Sequence, residues 1–470
     1  MKNHLINNRN YTLDFDPVQN SGGIVRFVDR SSGMESEIKL AIDDWAFSHR
    51  VKQEFPSIVA DLIDLAVAIH TSDRLAVHNL RQDQRCIQVK LPVRHPELLS
   101  AKQEKLSSLL EWATGSQWFF EFYQRVAPER PVIEQSYLPV GPEGCEVALW
   151  SGGLDALAGV YTRLQEDFKK TFVLFGSGSN DIVYHRQETV ARELQSIFPR
   201  RSHLYRVPIR FQNSNTHNKN KIPRARGVVF TLLGSACAYL MGQHELCVYE
   251  NGIGAINLPY RASAIGLDHS RSVHPLTLLM VSEVVSELLG ETFRVWNPFL
   301  FWTKAQMCQK LAEDGRDTLP SLSKSCDRPH RHQAIQCGYC SSCILRRQAL
   351  AAAKLEDRTD YVIRHKEPAG DSSVYLRHML AQIRTIEKLI NTSLYPPLQW
   401  KAITQNFPEL DDIVDRCSAS EKLKAGEMRE RLIQLYQNYV TEWIDVEPQL
   451  SNSLLKSIAR QSSNSNCSVA

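Results

Sequence analysis

The stretch Glu146-Val147-Ala148-Leu149-Trp150-Ser151-Gly152-Gly153-Leu154-Asp155-Ala156 decides the fold class. Val147, Ala148 and Leu149 make a short apolar run that stops at Ser151 and two glycines. A buried strand that ends in such a turn and continues as a helix presents a hydroxyl and open backbone N–H groups. The positive end of the helix dipole adds to them, so the turn suits a phosphate or pyrophosphate. A serine- and glycine-rich turn that only connects two elements has the same local sequence. The rest of the chain has to separate the two.

Downstream, apolar runs at 146–150, 171–175, 203–207, 246–250 and 293–296 read as strands. Helical spacing fills the gaps at about 155–166, 183–197, 226–242 and 276–289. Short strands that are apolar on both faces and alternate with helices predict a parallel sheet covered on both sides. Ligands of such sheets lie beyond the carboxyl ends of the strands. That rule puts three turns on one rim: Ser151-Gly152-Gly153, Gly176-Ser177-Gly178 and Glu250-Asn251-Gly252. The polar stretch 210–226, with Lys219, Lys221, Arg224 and Arg226, reads either as a solvated loop or as a flap reaching phosphates. Arg226, at the start of a helix, is the best placed of the four.

The 470 residues exceed one ordinary core and predict two to four units. With 43% hydrophobic and 23% charged residues, the composition is that of a globular protein. A formal charge of +3 gives no electrostatic case for wrapping nucleic acid. No apolar run reaches the roughly 18–20 residues of a membrane span, and 1–8 lack a signal-peptide core, so a cytoplasmic protein is expected. Residues 1–140 form an α+β module: strands at 11–15, 24–28, 85–91 and 118–122, and helices at 55–70 and 102–114. The Pro- and Gly-bearing stretch 127–144 reads as its linker. Helical apolar spacing returns in 372–393 and 419–446, within a helical C-terminal region at 361–460. A serine- and asparagine-rich tail, 461–470, is expected to be disordered.

Four of the 11 cysteines stand as C-x10-C-x2-C-x2-C at Cys326, Cys337, Cys340 and Cys343. Two-residue gaps let thiolates turn back onto one ion, and four of them close a tetrahedral shell, as in structural zinc sites. An iron–sulfur cluster is the chemical competitor. His330 and His332 lie between the first two cysteines and are candidate replacement ligands. This places a four-cysteine zinc subdomain at 321–360.

Together the two signals resemble a family. Ser151-Gly152-Gly153-Leu154-Asp155 is similar to the SGGxD loop of the N-type ATP pyrophosphatases, whose adenine-nucleotide α-hydrolase-like fold is here expected over 145–320. The cysteine pattern after that domain resembles 7-cyano-7-deazaguanine synthase, QueC. Ile222-Pro223-Arg224-Ala225-Arg226-Gly227 is similar to that family's P-x-R-N segment, and Asn257-Leu258-Pro259-Tyr260 lies where it recognises substrate. The long N-terminal module, Glu250-Asn251-Gly252 and Asn297-Pro298-Phe299 look more like the QueC-like proteins of bacterial anti-phage systems (Qat and type IV CBASS).

The resemblance implies an ATP-dependent enzyme that adenylates a 7-deazaguanine carboxylate and passes it to ammonia or to an amine of a partner protein. ATP, Mg2+ and Zn2+ are the implied ligands. Ser151, Gly152, Gly153, Gly176 and Lys304 would meet ATP, and Asp155 would orient the loop or hold Mg2+. Arg226 would stabilise charge on the α-phosphate, while Glu250, Asn251 and Asn257 would face the substrate. A tRNA-modifying enzyme of the same fold and a catalytically silent nucleotide-binding scaffold are the alternatives. The chain departs from the pattern at Ala156, where the family has Ser or Thr, and at Gly227, where it has Asn. A lost hydroxyl–phosphate bond costs about 1.5–3 kcal/mol.

Overall fold

Ten strands join into a single sheet in the computed structural model, which describes residues 7–18, 22–42, 56–77, 83–126, 144–178, 181–212, 220, 223–260, 270–326, 335–364 and 373–465. In chain order the strands are β1 (Asn7–Val18), β2 (Gly22–Asp29), β3 (Met34–Ile42), β4 (Asp83–Val93), β5 (Gln117–Gln124), β6 (Cys145–Leu149), β7 (Thr171–Gly178), β8 (Ser202–Gln212), β9 (Glu245–Cys247) and β10 (Arg294–Trp296). Their spatial order is β10-β9-β6-β7-β8-β3-β2-β1-β4-β5.

Within β6 to β10 every pairing is parallel. The chain moves outward from β6 through β7 to β8, then returns to build β9 and β10 on the other side. The reversal lies between β6 and β9, and a crevice opens at their carboxyl ends, where ligands of open α/β sheets bind. The helices of this half are α4 (Leu154–Glu166), α5 (Asp181–Ile197), α6 (Arg226–Leu240), α7 (Gly252–Ile256), α8 (Pro275–Leu289), α9 (Lys304–Glu313), α10 (Thr318–Leu322) and α11 (Ser341–Ala352). β6 is buried up to Leu149, which is partly buried; Val147 and Ala148 pack in apolar clusters, and Glu146 is paired with Arg163 at 2.7 Å.

The N-terminal part joins the same sheet. It adds α1 (Ser57–Leu75), α2 (Pro96–Ala101) and α3 (Gln103–Thr114), and its strands continue the same sheet. β8 runs past its expected end at 207, and its last residues pair antiparallel with β3 from Ile42↔Ile209 to Lys39↔Gln212. β3 was absent from the sequence expectation, although Ile38 and Leu40 alternate with Glu37 and Lys39 and are buried. The Gly176-Ser177-Gly178 turn is also corrected. Those residues extend β7, with Gly176 opposite Arg206 and Gly178 opposite Pro208. The linker 127–143, Asn20 and Ser21 of the expected first turn, Lys219, Lys221, His330 and His332 lie outside the described residues.

The C-terminal helices are α12 (Val374–Ile390), α13 (Pro396–Asn406), α14 (Glu409–Cys417) and α15 (Ala425–Ser465). Leu376, Met379, Ile383 and Ile386 of α12 meet Leu432, Leu435, Tyr436, Tyr439 and Trp443 of α15 in one apolar cluster, which also takes in α7 and the cysteines. A Cβ on Gly252 would stand 2.7 Å from Leu435 and 1.9 Å from the Leu300 carbonyl oxygen, so α7 and α15 touch backbone to side chain. α15 also continues to Ser465, past Gln461 where a disordered tail was expected; 466–470 lie outside the described residues. Among the described residues, no helix is long and apolar enough to cross a membrane.

One buried ion pair fastens the N-terminal part to α6. Arg85 Nη2 donates to Asp73 Oδ1 at 2.7 Å with both side chains fully buried. Arg85 also reaches the Ala76 carbonyl at 2.6 Å and Ser116 Oγ at 3.0 Å. The other Asp73 oxygen accepts the Ala225 N–H at 2.7 Å, capping α6 from a distant element, since Ala225 has no capping side chain of its own. Asp73→Ala leaves Arg85 buried and unpaired and is expected to cost about 3–5 kcal/mol in urea unfolding; a loss below about 1 kcal/mol would show that the pair is not the fastening.

Candidate functional site

β6 ends at Leu149, and Trp150 continues its pairing by donating its N–H to the Phe175 carbonyl at 2.7 Å. Gln187 of α5 then clamps the exit: Trp150 Nε1 donates to the Gln187 carbonyl, and Gln187 Nε2 to the Trp150 carbonyl, both at 2.9 Å. Gly152 turns at φ +71, and a Cβ there would press on the Gln187 backbone at 3.2 Å. The glycine is required twice, by conformation and by space. Ser151 is exposed, and its Oγ accepts the Gly153 N–H at 3.1 Å. Gly153, extended, precedes α4, and no side chain caps that helix. An uncapped helix start behind a glycine turn at the sheet's switch point leaves backbone N–H groups free, an arrangement that suits an anion.

Beneath it lies a buried polar cluster. Asp155, in the first turn of α4, accepts from Lys304 Nζ, and the side chains are 11% and 5% exposed. Its other oxygen accepts from Asn251 Nδ2 at 2.9 Å. The same Asn251 nitrogen reaches Glu250 Oε1 at 2.8 Å, while Asn251 Oδ1 caps α7 through the Gly254 N–H at 2.9 Å. Asn297, after β10, donates to the Glu250 carbonyl at 2.7 Å. Burial, then the neighbouring Asp155, push the Glu250 carboxyl up to about 8, with Lys304 opposing. Burial draws Lys304 down, but the two carboxylates outweigh it and its pKa is raised. Two carboxylates, one ammonium and one amide therefore share a small buried volume at the ends of β6 and β9.

Sequence reasoning missed what holds Lys304. Thr303 caps α9 in a reciprocal box with Gln306: Gln306 N–H to Thr303 Oγ1 at 3.1 Å, and Thr303 N–H to Gln306 Oε1 at 2.8 Å. The Thr303 hydroxyl donates to Glu442 of α15, and Gln348 of α11 approaches the other Glu442 oxygen at 3.5 Å. Burial raises Glu442 to about 7. The Thr303-x-x-Gln306 spacing was available as a capping signal, whereas Glu442 lies 139 residues away and only the fold delivers it.

Of the expected site residues, Ser151, Gly152, Gly153, Asp155, Glu250, Asn251 and Lys304 come together. Asn251 spends its amide on Asp155, Glu250 and Gly254, so it orients the carboxylates. Gly176 lies within β7, against the Gln187 amide, where a Cβ would approach Oε1 to 2.7 Å. Asn257 is the left-handed residue ending α7, and its amide donates to the Ser270 carbonyl at 3.2 Å. Ala156 is buried in the apolar cluster around α4. Arg226 begins α6 and is exposed, with its guanidinium 5.0 Å from the Phe230 ring centre. The charged group that acts on it is Arg74 of α1.

The four cysteine sulfurs of Cys326, Cys337, Cys340 and Cys343 lie within 4.8 Å of one another. Cys337 and Cys343 are 3.8 Å apart, and Cys326 and Cys340 are 4.0 Å apart. A tetrahedron of zinc–sulfur bonds of about 2.3 Å has edges of about 3.8 Å, so one zinc ion fits. The Cys340 and Tyr339 N–H groups point at Cys337 Sγ from 3.2 and 3.5 Å, stabilising a thiolate. Gly338, at φ +86, makes the tight turn between them. The segment after α10 ties this knuckle to the loop. Lys324 N–H donates to the Gly152 carbonyl at 3.2 Å, and buried Arg346 of α11 donates to Ser323 Oγ at 2.9 Å.

A family model described as "Queuosine biosynthesis protein QueC" matches residues 277–354. The 7-cyano-7-deazaguanine synthase of Syntrophobacter fumaroxidans (strain DSM 10017 / MPOB) is 24% identical over 239 residues, 46% of this chain and 95% of that protein. The chain is QueC-like. The QueC-matching stretch holds Lys304, the Thr303 cap and all four cysteines, whereas Ser151–Asp155, Asn251 and Glu442 lie outside it.

Metal analysis of the purified protein is expected to find about one zinc per chain and no iron, and Cys337→Ser with Cys340→Ser to abolish it. Glu250 offers a second test. The folded state holds its proton up to about 8, whereas the usual value is 4.5. Folding thus takes up a proton between those limits, and stability falls as pH rises through them. Glu250→Gln is expected to gain thermal stability relative to the parent between pH 5 and pH 8; an unchanged difference would place Glu250 in water.

Proposed function

We propose that the chain is an ATP-using enzyme that adenylates the carboxylate of 7-carboxy-7-deazaguanine and passes the acyl group to ammonia or an amine. The observation that carries the reading is the uncapped start of α4, behind Ser151-Gly152-Gly153, with Asp155, Glu250 and Lys304 beneath it in a QueC-like chain.

A carboxylate does not react with an amine at neutral pH because its oxygen is a poor leaving group. In the reaction, a substrate carboxylate oxygen bonds to the α-phosphorus of ATP, and the bond to the bridging oxygen breaks with loss of pyrophosphate. The amine then attacks the acyl carbon and AMP leaves with the oxygen it captured. Ser151 and the N–H groups at the start of α4 bind the outer phosphates, and the helix dipole favours the charge that gathers there. Asp155 and Glu250 are the oxygen donors that would hold Mg2+, which supplies charge for the leaving pyrophosphate. Glu250 would hold the ion in its ionised form, and Lys304 balances the two carboxylates. Asn251 keeps both carboxylates in register, and Arg226 meets phosphate charge from the α6 side.

The same reading takes the acceptor as an amine on a partner protein of a bacterial anti-phage system, in the cytoplasm. Its support is the resemblance of the Glu250-Asn251-Gly252 and Asn297-Pro298-Phe299 motifs, together with the large regions outside the QueC-matching stretch. Ala156, buried without a hydroxyl, favours a second reading as a nucleotide-binding scaffold.

The purified protein with ATP, Mg2+, 7-carboxy-7-deazaguanine and ammonium is expected to release pyrophosphate. Asp155→Ala should lower that rate by about 100-fold or more while leaving the protein folded. ATP binding without pyrophosphate release with any acceptor would select the scaffold.

A further inference from the structure

The first helix of the N-terminal part carries cationic and imidazole groups that the reaction above does not use. His70 and Arg74 stand four residues apart on α1 and therefore share a face. Arg74 exchanges two hydrogen bonds with Asn220: Nη1 to the Asn220 carbonyl, and the Asn220 N–H to the Arg74 carbonyl, both at 2.7 Å. Next to that contact, Asp73 holds the Ala225 N–H at 2.7 Å. Arg74 and Arg226 therefore flank one junction between α1 and the start of α6, and each guanidinium acts on His70 between them.

Charge does not balance there. Asp73 is the carboxylate at this junction, and both of its oxygens are taken, one by Arg85 and one by Ala225. Among the described residues, Arg85, Arg74 and Arg226 thus face one negative charge that is already bound. Two polar atoms point at nothing among the described residues: His70 Nε2, on a residue 5% exposed, and Arg74 Nε. Like charges held together beside unmet donors lack their ligand, and that ligand is an anion.

We infer that Arg74, Arg226 and His70 form an oxyanion subsite for a phosphate-type ligand, to which the N-terminal part contributes two of the three groups. Arg74 Nε and His70 Nε2 are the buried unmet groups the ligand would engage, and Arg226 adds an exposed guanidinium at the start of α6. The α6 helix start adds its dipole. Where the oxyanion is the pyrophosphate end of ATP, the subsite rests on the reading above and explains why α1 is fastened to α6. The subsite also stands alone as a receptor for a free phosphate compound.

Titration calorimetry on the full chain with inorganic pyrophosphate, and separately with ATP, tests this. Arg74→Gln and Arg226→Gln should each weaken pyrophosphate binding by about tenfold, while Arg74→Lys should retain part of the affinity and all three unfold at the parental temperature. A parallel loss for ATP identifies the nucleotide as the source, and a loss for pyrophosphate alone identifies a separate phosphate compound; either supports the subsite. Pyrophosphate binding that is absent from the parent, or unchanged in Arg74→Gln, overturns it. Gly152→Ala keeps the two claims apart: lost ATP binding there with unchanged pyrophosphate binding in Arg74→Gln sinks the subsite and leaves the nucleotide reading standing. ATP binding untouched by Gly152→Ala sinks that reading.

Discussion

The ion pair between Asp155 and Lys304 is the contact on which the site depends. It joins the first turn of α4 to the first residue of α9, two elements that the sheet brings together from 149 residues apart in sequence. Burying two charges is unfavourable unless further hydrogen bonds compensate them. Here Asn251 supplies one to Asp155, and the Thr303 cap fixes the helix that presents Lys304. The cap in turn leans on Glu442 of the long C-terminal helix. A cluster of this kind is poorly suited to hold a fold together, because apolar residues would do so at less desolvation. The raised Glu250 pKa comes from the same burial and from the neighbouring Asp155.

Around this pair the chain works as a set of braces. The cysteine knuckle reaches the glycine turn through Lys324 and Arg346, so the segment that carries the first cysteine also holds the Gly152 carbonyl. The N-terminal part grips α6 through Asp73 and extends the sheet through β3. The C-terminal helices close over α7 at Gly252. Regions that composition marks as appendages are thus continuous with the site.

Much of the core half was legible from sequence. The strand–turn–helix at 146–166 and the cysteine spacing both stood out because they are local: a few residues suffice to specify each. The clustering of Asp155 with Glu250 and Asn251 followed from one topological rule about strand ends. What escaped was non-local or concealed by composition. Gly176-Ser177-Gly178 has turn residues but pairs with β8, because the partner strand decides. β3 is half charged and was given no strand in the sequence reading, yet its alternation fits an antiparallel neighbour. Glu442 and Arg74 are ordinary surface residues in sequence and acquire meaning only when their helices dock. Asn251, expected at a substrate edge, turned out to spend its whole amide inside the cluster.

The central claim is that a carboxylate oxygen is transferred to AMP at the Ser151–Asp155 turn. Substrate carrying 18O in its 7-carboxylate, incubated with ATP, Mg2+ and ammonium, tests it by mass spectrometry of the nucleotide product. The account predicts one 18O atom in the AMP phosphate for each acyl group activated, and none with Asp155→Ala. AMP free of label, or labelled ADP in its place, would contradict it.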